Sequence, residues 1–320
     1  MKQHNILLTK GQFHRLLLVP VFATAIGLAT ALPSAALQLQ ETYYSASGCG
    51  GVDTPTVNAA FEMRVVELVN RERANNGVMP PLKRVDALDR AARHHATDLG
   101  IDDYFDHDSY DRNNGGLAFV CGAFDRIGIW YTDWRRAGEN IGAGYATPEE
   151  VVAAWMDGEG HRRNILNPNY TEIGVGYFAG AGAYRAYWVQ DFGTRNGVYN
   201  LVIDDEAAVT EDRNVALYLQ GSWSEMRLRN DDGAWGSWRP FASRVAWTLN
   251  PGAGEHAVHV ELRTSTTRSQ ASDTIQLNEV ALVPSDGGYR VFLPAVVTDP
   301  SAARSSTAGE VSSGVLSHIP

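Results

Sequence analysis

Cysteine is scarce in this 320-residue chain, which contains only Cys49 and Cys121. Their spacing matches neither a cysteine-rich zinc site nor a Cys-x-x-Cys redox pair. Positive charge is also in deficit, because 27 Lys and Arg stand against 37 Asp and Glu, giving a formal net charge of −10. Such a chain is a poor partner for nucleic acid and for anionic membrane surfaces. We therefore predict that neither is a partner.

Long apolar runs are absent after the first 36 residues, so we predict no membrane span in the mature chain. Residues 1–36 have a basic head, an apolar run from Leu16 to Leu32 and the small residues Ser34-Ala35-Ala36. This pattern is typical of a cleaved signal peptide and predicts a secreted, extracellular protein. An uncleaved anchor helix is the alternative. In an exported chain the cysteine pair indicates a possible Cys49–Cys121 disulfide, and two free thiols are the alternative.

Several catalytic motifs are missing. His94 and His95 do not form the His-Glu-x-x-His pattern of a metalloprotease, and His95 lies on an apolar helix face, where a hydrogen-bonded core histidine is expected. Gly142-Ala143-Gly144 lacks the third glycine of a dinucleotide fingerprint, and there is no Gly-x-Ser-x-Gly elbow. The sequence therefore disfavours nucleotide binding and serine hydrolysis.

The first two thirds of the chain alternate helical and strand patterns. Apolar spacing predicts helices from about Asn58 to Asn75 and from Asp86, as the cap, to Asp102. Thr147-Pro148-Glu149-Glu150 predicts a third helix that ends near Asp157. Strand patterns follow at 171–178 and 184–192, whereas 110–137 is interpreted as a long connection with an aromatic patch.

The pattern changes near residue 197. Short alternating runs separated by turn residues predict an all-β domain over 198–280, which resembles Ig-like or fibronectin-like modules. Its four tryptophans could form a sugar-stacking platform, but such residues more often pack in a sandwich: Trp223, Trp235, Trp238 and Trp247. We interpret 37–57 as a leader, 281–297 as a terminal strand-like segment and 298–320 as a disordered tail.

The most informative stretch is 138–193. It contains Gly138-Glu139-Asn140-Ile141, Trp155-Met156, Gly160-His161-Arg162-Arg163-Asn164-Ile165-Leu166 and Tyr187-Trp188-Val189-Gln190-Asp191-Phe192-Gly193. These motifs resemble the CAP superfamily (SCP or PR-1-like), especially its bacterial members, over residues 58–196. The resemblance implies an α/β/α sandwich, so the predicted fold class is α+β, with the CAP-type sandwich followed by the Ig-like β domain.

The resemblance also implies a central cleft around His107, Glu139 and His161. Relatives have a glutamate three residues after the helix tryptophan, where this chain has Gly158 between Asp157 and Glu159. Two imidazoles and a carboxylate could bind a divalent ion such as zinc, with His107 and His161 as metal candidates, or could perform acid–base chemistry. They could equally form a buried polar network that organises the fold.

Three functions follow from this pattern. The first is a non-enzymatic extracellular binding protein whose cleft accepts a small ligand, a lipid or a divalent metal, with no cofactor required. The second is a metal-assisted hydrolase of peptides or cell-wall material. The third is an adhesion or scaffold protein that binds a cell-envelope component through the β domain.

Overall fold

The computed structural model describes residues 47–77, 79–278, 281–285 and 288–292, which all belong to the structural unit that begins at Tyr44. The predicted signal peptide and the predicted tail lie outside these residues. Within the described part of the chain, no helix is both long and apolar enough to cross a bilayer.

The first domain is a three-layer α/β/α sandwich. Its helices are α1 (Ala59–Asn75), α2 (Asp86–Ile101), α3 (Ala123–Trp130), α4 (Pro148–Asp157) and α5 (Glu159–Ile165). Its strands are β1 (Lys83–Arg84), β2 (Ser109–Asn113), β3 (Gly116–Cys121), β4 (Trp134–Ala143), β5 (Glu172–Ala179) and β6 (Ala186–Arg195). The central sheet has the order β1-β5-β6-β4, and β2 and β3 form a separate hairpin.

Alternation along β6 separates the two faces of the sheet. Trp188 and Phe192 pack in the core beneath α1 and α4, whereas Tyr187 and Val189 pack in the core beneath α2. The same alternation places Asp191 on the α2 face, where it is fully buried. A buried carboxyl group therefore lies inside this layer.

Two glycines let helix α2 lie directly on β5. A Cβ atom at Gly174 would overlap the backbone of Leu88 and Asp89, and one at Gly176 would overlap Ala92. Only glycine permits so close an approach of two backbones. The alternation of glycine with apolar residues in this strand is therefore a packing requirement.

Most predicted elements agree with the structure. Asn58 caps α1, where its Oδ1 accepts a hydrogen bond from the Phe61 N–H at 3.1 Å. Thr147 caps α4, where its Oγ1 accepts from the Glu150 N–H at 3.2 Å. His95 is fully buried, and its Nε2 lies 2.9 Å from the carbonyl oxygen of Asp106, as expected for a core histidine.

Two predictions were wrong. Asp86 is the first residue of α2 and not its cap; Val85 occupies the cap position without a side-chain hydrogen bond. Residues 110–137 are not a long connection, because they contain the β2–β3 hairpin, helix α3 and the start of β4. Glu139 consequently lies on a strand. Helix α3 has only eight residues, too few for helical periodicity to identify it.

A disulfide joins Cys49 to Cys121 and links the leader to the end of β3. Gly48 adds a second attachment, since its N–H donates to Asp111 Oδ1 at 2.9 Å. The described part of the leader is therefore fastened to the sandwich, although it has no core of its own.

The second domain encloses one apolar core between two sheets. The five-stranded sheet has the order β11-β10-β13-β14-β8, and the three-stranded sheet has the order β12-β9-β7. The strands are β7 (Leu201–Ile203), β8 (Val209–Thr210), β9 (Asn214–Leu219), β10 (Glu225–Asn230), β11 (Arg239–Pro240), β12 (Arg244–Thr248), β13 (Gly254–Arg263) and β14 (Arg268–Leu277). A hairpin of β15 (Ala281–Ser285) and β16 (Gly288–Phe292) follows. The Ig-like assignment stays a prediction.

A left-handed turn of the second domain, directly after β7, contacts the first domain. Asp204, Asp205 and Glu206 all have positive φ angles, of 45°, 55° and 69°. The left-handed conformation costs on the order of 1–2 kcal/mol for each residue other than glycine. Other contacts must therefore stabilise this turn. Asn70 of α1 donates to the Asp205 carbonyl at 2.8 Å, and Glu206 Oε1 accepts from Lys83 Nζ at 2.7 Å. Lys83 also pairs with Asp273 of β14.

Candidate functional site

His107 and Glu139 form the centre of the site. His107 Nδ1 lies 2.8 Å from Glu139 Oε1, and the side chain of His107 is 51% exposed while that of Glu139 is 2% exposed. Because an ionised carboxylate only accepts, Nδ1 must carry the proton, and Nε2 is left as the free ring nitrogen. The hydrogen bond to Glu139 raises the pKa of His107 despite its partial burial.

Arg126 of α3 holds the other oxygen of Glu139. Its Nη2 donates to Glu139 Oε2 at 2.6 Å and to the His107 carbonyl at 3.1 Å, and its Nη1 donates to Ser109 Oγ at 2.8 Å. Burial alone would raise the pKa of Glu139, but Arg126, His95 and His107 outweigh it and lower the pKa to about 2. Glu139 is therefore an anion that positions His107.

Asp191 lies behind this pair. It is opposite Glu139 in the antiparallel β4–β6 register and is fully buried, and neither carboxyl oxygen has a hydrogen-bond donor among the described residues. Burial, and then the charge of Glu139, raises the pKa of Asp191 well above its ordinary value. These effects favour the protonated form of Asp191, whose hydroxyl would be a donor beside the Glu139 carboxylate.

His161 lies on α5. Burial, and then the charge of His107, lowers its pKa. A Cβ atom at Gly158 would lie 2.8 Å from His161 Nδ1, so the glycine provides the space that this imidazole occupies. The flanking acids do not replace the missing glutamate: Asp157 is exposed, and Glu159 is exposed and pairs with Arg163.

Amide side chains fix α5 against β4. Asn140 Nδ2 donates to the His161 carbonyl at 3.2 Å and to Gln190 Oε1 at 3.1 Å. Asn164 Nδ2 donates to the Glu139 carbonyl at 3.1 Å and to Asn140 Oδ1 at 2.9 Å. The backbone of His161 is thus attached to the strand that carries Glu139.

A cleft of about 590 Å³ opens beside His107. Its lining combines apolar, polar and acidic groups: His107, Asp108, Gly122, Ala123, Phe124, Asp125, Ala137, Gly138, Glu139, Asn164 and Tyr170. Phe124 is 54% exposed and lies against Trp134, with ring centroids 6.0 Å apart. The volume suits a small organic ligand. His161 is not among the lining residues.

The donor set fits a metal only in part. The free Nε2 of His107 and the imidazole of His161 are suitable zinc ligands, and a carboxylate bonded to the second nitrogen of a ligating histidine is a common supporting contact. Both oxygens of Glu139 are occupied, so it supports His107 instead of acting as a third ligand. Among the described residues, a group of three potential metal ligands within 4.8 Å of one another occurs elsewhere, at Asp98, Asp102 and Asp111. His107, Glu139 and His161 do not form such a group.

Sequence reasoning found His107, Glu139 and His161 but missed Arg126 and Asp191. The structure brings His107 and Glu139 into contact and places His161 close enough to be affected by the charge of His107. A charged residue within the apolar strand Tyr187–Phe192 was a usable signal for Asp191. No local pattern marks Arg126, whose partners belong to other elements.

Comparison with known proteins gives a consistent assignment for this domain. Residues 66–192 match CAP, the Cysteine-rich secretory protein family. Uncharacterized protein YkwD of Bacillus subtilis is 42% identical over 138 residues, which cover 43% of this chain and 49% of that protein. Uncharacterized membrane protein YlbC of the same organism is 30% identical over 136 residues, covering 42% of this chain and 35% of that protein. The match thus spans about half or less of these relatives.

Two solved structures are similar to part of the chain. An extracellular protein containing an SCP domain from Bacillus anthracis is 27% identical, with a TM-score of 0.35 and coverage of 42% of this chain and 40% of that one. An outer surface protein from Borrelia burgdorferi is 18% identical, with a TM-score of 0.38 and coverage of 45% of this chain and 100% of that one.

The α/β/α sandwich with its histidine and glutamate cleft defines the class of this domain. A domain of the CAP superfamily spans residues 66–192 of the chain.

Proposed function

We propose that this is an exported protein that acts by binding, with the cleft beside His107 as its site for a small ligand or a divalent metal ion. The contact between His107 Nδ1 and Glu139 carries the proposal, because it fixes the ring and leaves Nε2 free next to an open cleft. The disulfide and the signal-like first 36 residues support export.

The charge states favour binding over catalysis. A general base works best with a pKa near the operating pH, and the pKa of Glu139 is about 2. Glu139 is therefore a weak proton acceptor near neutrality. Its ion pair and hydrogen bonds instead serve to orient His107.

A metal-assisted hydrolase is the second candidate, and one observation favours it. The pKa of His107 is raised while that of His161 is lowered, and paired groups with pKa values pushed apart are typical of acid–base catalysis. This candidate requires that the wild-type protein turns over a peptide, ester or glycan substrate. It also requires that the His161→Ala variant is folded but has lost this activity. An inert wild-type protein, tested with zinc, calcium and magnesium, would count against it.

Zinc calorimetry on the full chain tests the first candidate. We expect micromolar binding that His107→Ala and His161→Ala each remove, with His259→Ala of the β domain as the matched control. Binding that persists in both variants but is lost in Asp111→Asn would place the ion at the aspartate cluster instead. If no metal binds and no small-molecule or lipid ligand shifts the tryptophan fluorescence of the chain, the cleft is a structural network and the proposal fails.

The export step has its own test. We expect the protein in the culture medium to begin after residue 36, as read by mass spectrometry of its N-terminal peptide. Full-length protein retained in the membrane fraction would contradict this step.

A further inference from the structure

The outer face of the five-stranded sheet carries alternating guanidinium and indole groups. We call this the arginine–tryptophan face: Arg227, Arg229, Trp235, Trp238, Arg263 and Arg268. Arg229 and Arg227 lie 4.8 and 5.2 Å from the centre of the Trp235 ring. Arg227, Arg263 and Arg268 lie 4.8, 3.9 and 5.8 Å from the centre of Trp238.

The stacking decides what this face can recognise. Trp223 and Trp247 pack against the core of the domain, so the four tryptophans do not form one platform. Trp235 and Trp238 lie outside that core, but guanidinium groups already stack on their rings. We therefore expect the arginines, and not the indole rings, to contact a ligand. Because the rings already hold the arginine side chains in place, binding costs little further side-chain entropy.

Positive charge exceeds negative charge on this face. Arg263 Nη2 pairs with Glu225 at 2.6 Å, and Arg227 pairs with Glu261. Arg229 has no carboxylate partner among the described residues, and its buried Nε atom has no hydrogen-bond acceptor there. Arg268 is exposed and forms no ion pair with any described residue. Two guanidinium groups are thus available to an anion in a chain of net charge −10.

A concavity of about 320 Å³ lies beside Arg268. It is lined by Trp238, Glu261, Leu262, Arg268, Ser269 and Gln270. Gln270 Nε2 donates to Glu261 Oε1 at 2.8 Å, which leaves the Gln270 carbonyl and the Ser269 hydroxyl for a ligand. The pocket therefore offers one cation together with neutral groups that bind hydroxyls.

This combination selects a class of ligand. Nucleic acid carries about one charge per 1.7 Å of duplex, which is a denser array of charge than two available guanidinium groups match. A polysaccharide of uronic acids carries one carboxylate per sugar, separated by hydroxyls that Ser269 and Gln270 can bind. We propose that the arginine–tryptophan face binds an acidic polysaccharide, with Arg268 and Arg229 pairing with its carboxylates.

The test uses the full chain with oligogalacturonate as the probe and dextran oligomers of equal length as the neutral control. We expect calorimetric binding to oligogalacturonate alone, weakened strongly in high salt. Arg268→Gln should lower the affinity about tenfold, the size of one charge-assisted hydrogen-bonded contact. Arg229→Gln should do the same, and Arg268→Lys should retain part of the affinity.

Arg244→Gln is the matched control, because Arg244 is exposed, lies over Tyr218 at 5.7 Å and belongs to the other sheet. Three results would overturn the proposal. These are no binding of oligogalacturonate, equal effects of Arg268→Gln and Arg244→Gln, or tighter Arg268-dependent binding of single-stranded DNA or anionic vesicles. The result is independent of the cleft, since His161→Ala should leave this binding unchanged.

Discussion

Two buried charge clusters in this chain differ in whether water reaches them. The junction cluster joins the domains and consists of Lys83, Glu206 and Asp273, whose side chains are 18%, 7% and 6% exposed. The cleft cluster consists of Arg126, Glu139 and His107, of which the first two are buried and the third is half exposed. The first cluster is closed on itself, whereas the second presents a ring nitrogen to an open cleft.

The charge balance differs in the same sense. At the junction, one lysine forms ion pairs with two carboxylates. Burial and the charge of Asp273 therefore raise the pKa of Glu206 to about 7. In the cleft, Arg126 and His107 both form ion pairs with Glu139, which stays ionised. A closed cluster can fix the contact between two domains, while an open one can bind a ligand.

The largest expected effect comes from removing the cation of the junction. Lys83→Met leaves Glu206 and Asp273 buried with backbone N–H donors but without a cation, so we expect a loss of about 3–5 kcal/mol in the free energy of unfolding. Urea unfolding measures it. Arg64→Met, which breaks an exposed pair with Glu149, is the control and should change stability by less than about 1 kcal/mol. Similar losses in both variants would remove the distinction between closed and exposed pairs.

Removing the cation of the cleft should cost nearly as much. Arg126→Met leaves the buried Glu139 with only His107, and we expect a loss of about 3 kcal/mol together with weaker ligand binding. Arg163→Met is the control, because Arg163 is 69% exposed and pairs with an exposed glutamate. An Arg126 variant of full stability and unchanged binding would contradict the role given to this residue.

The next largest effect is the pH dependence of stability that Glu206 gives to the junction cluster. The pKa of Glu206 is raised from 4.5 to about 7, so its contribution to stability is fully present below pH 4.5 and is lost as pH rises through 7. We expect Glu206→Gln to remove a decline on the order of 1–3 kcal/mol between these pH values. The urea midpoint as a function of pH measures it, and identical profiles for variant and wild type would contradict the assignment.

The smallest stability effect should come from the residue most important for binding. His107→Ala removes a half-exposed partner, and we expect a loss below about 1 kcal/mol. The pKa of His107 is raised, so its contribution is fully present below its ordinary pKa of 6.5 and is lost as pH rises through the raised value. A loss of about 3 kcal/mol or more by urea unfolding would make His107 a structural residue.

The sequence predicted local features well and partners across the fold poorly. The cap at Thr147 follows from a short-range pattern, and the residues of the cleft follow from the CAP motifs. Arg126 could not be predicted, because its ion pair with Glu139 depends on how a short helix packs against a strand. The left-handed turn at Asp204–Glu206 contains no glycine, so nothing in its residues indicates the contacts that hold it.

An NMR titration of the histidine ring signals of the full chain with zinc shows directly whether the cleft binds a metal ion. We expect the signals of His107 and His161 to shift together, while those of the core residue His95 and of His259 on the β domain stay unchanged. Shifts of neither cleft histidine at saturating zinc, together with equal insensitivity to small-molecule ligands of the cleft, would contradict this expectation. In that case the open cluster would be a structural element like the junction.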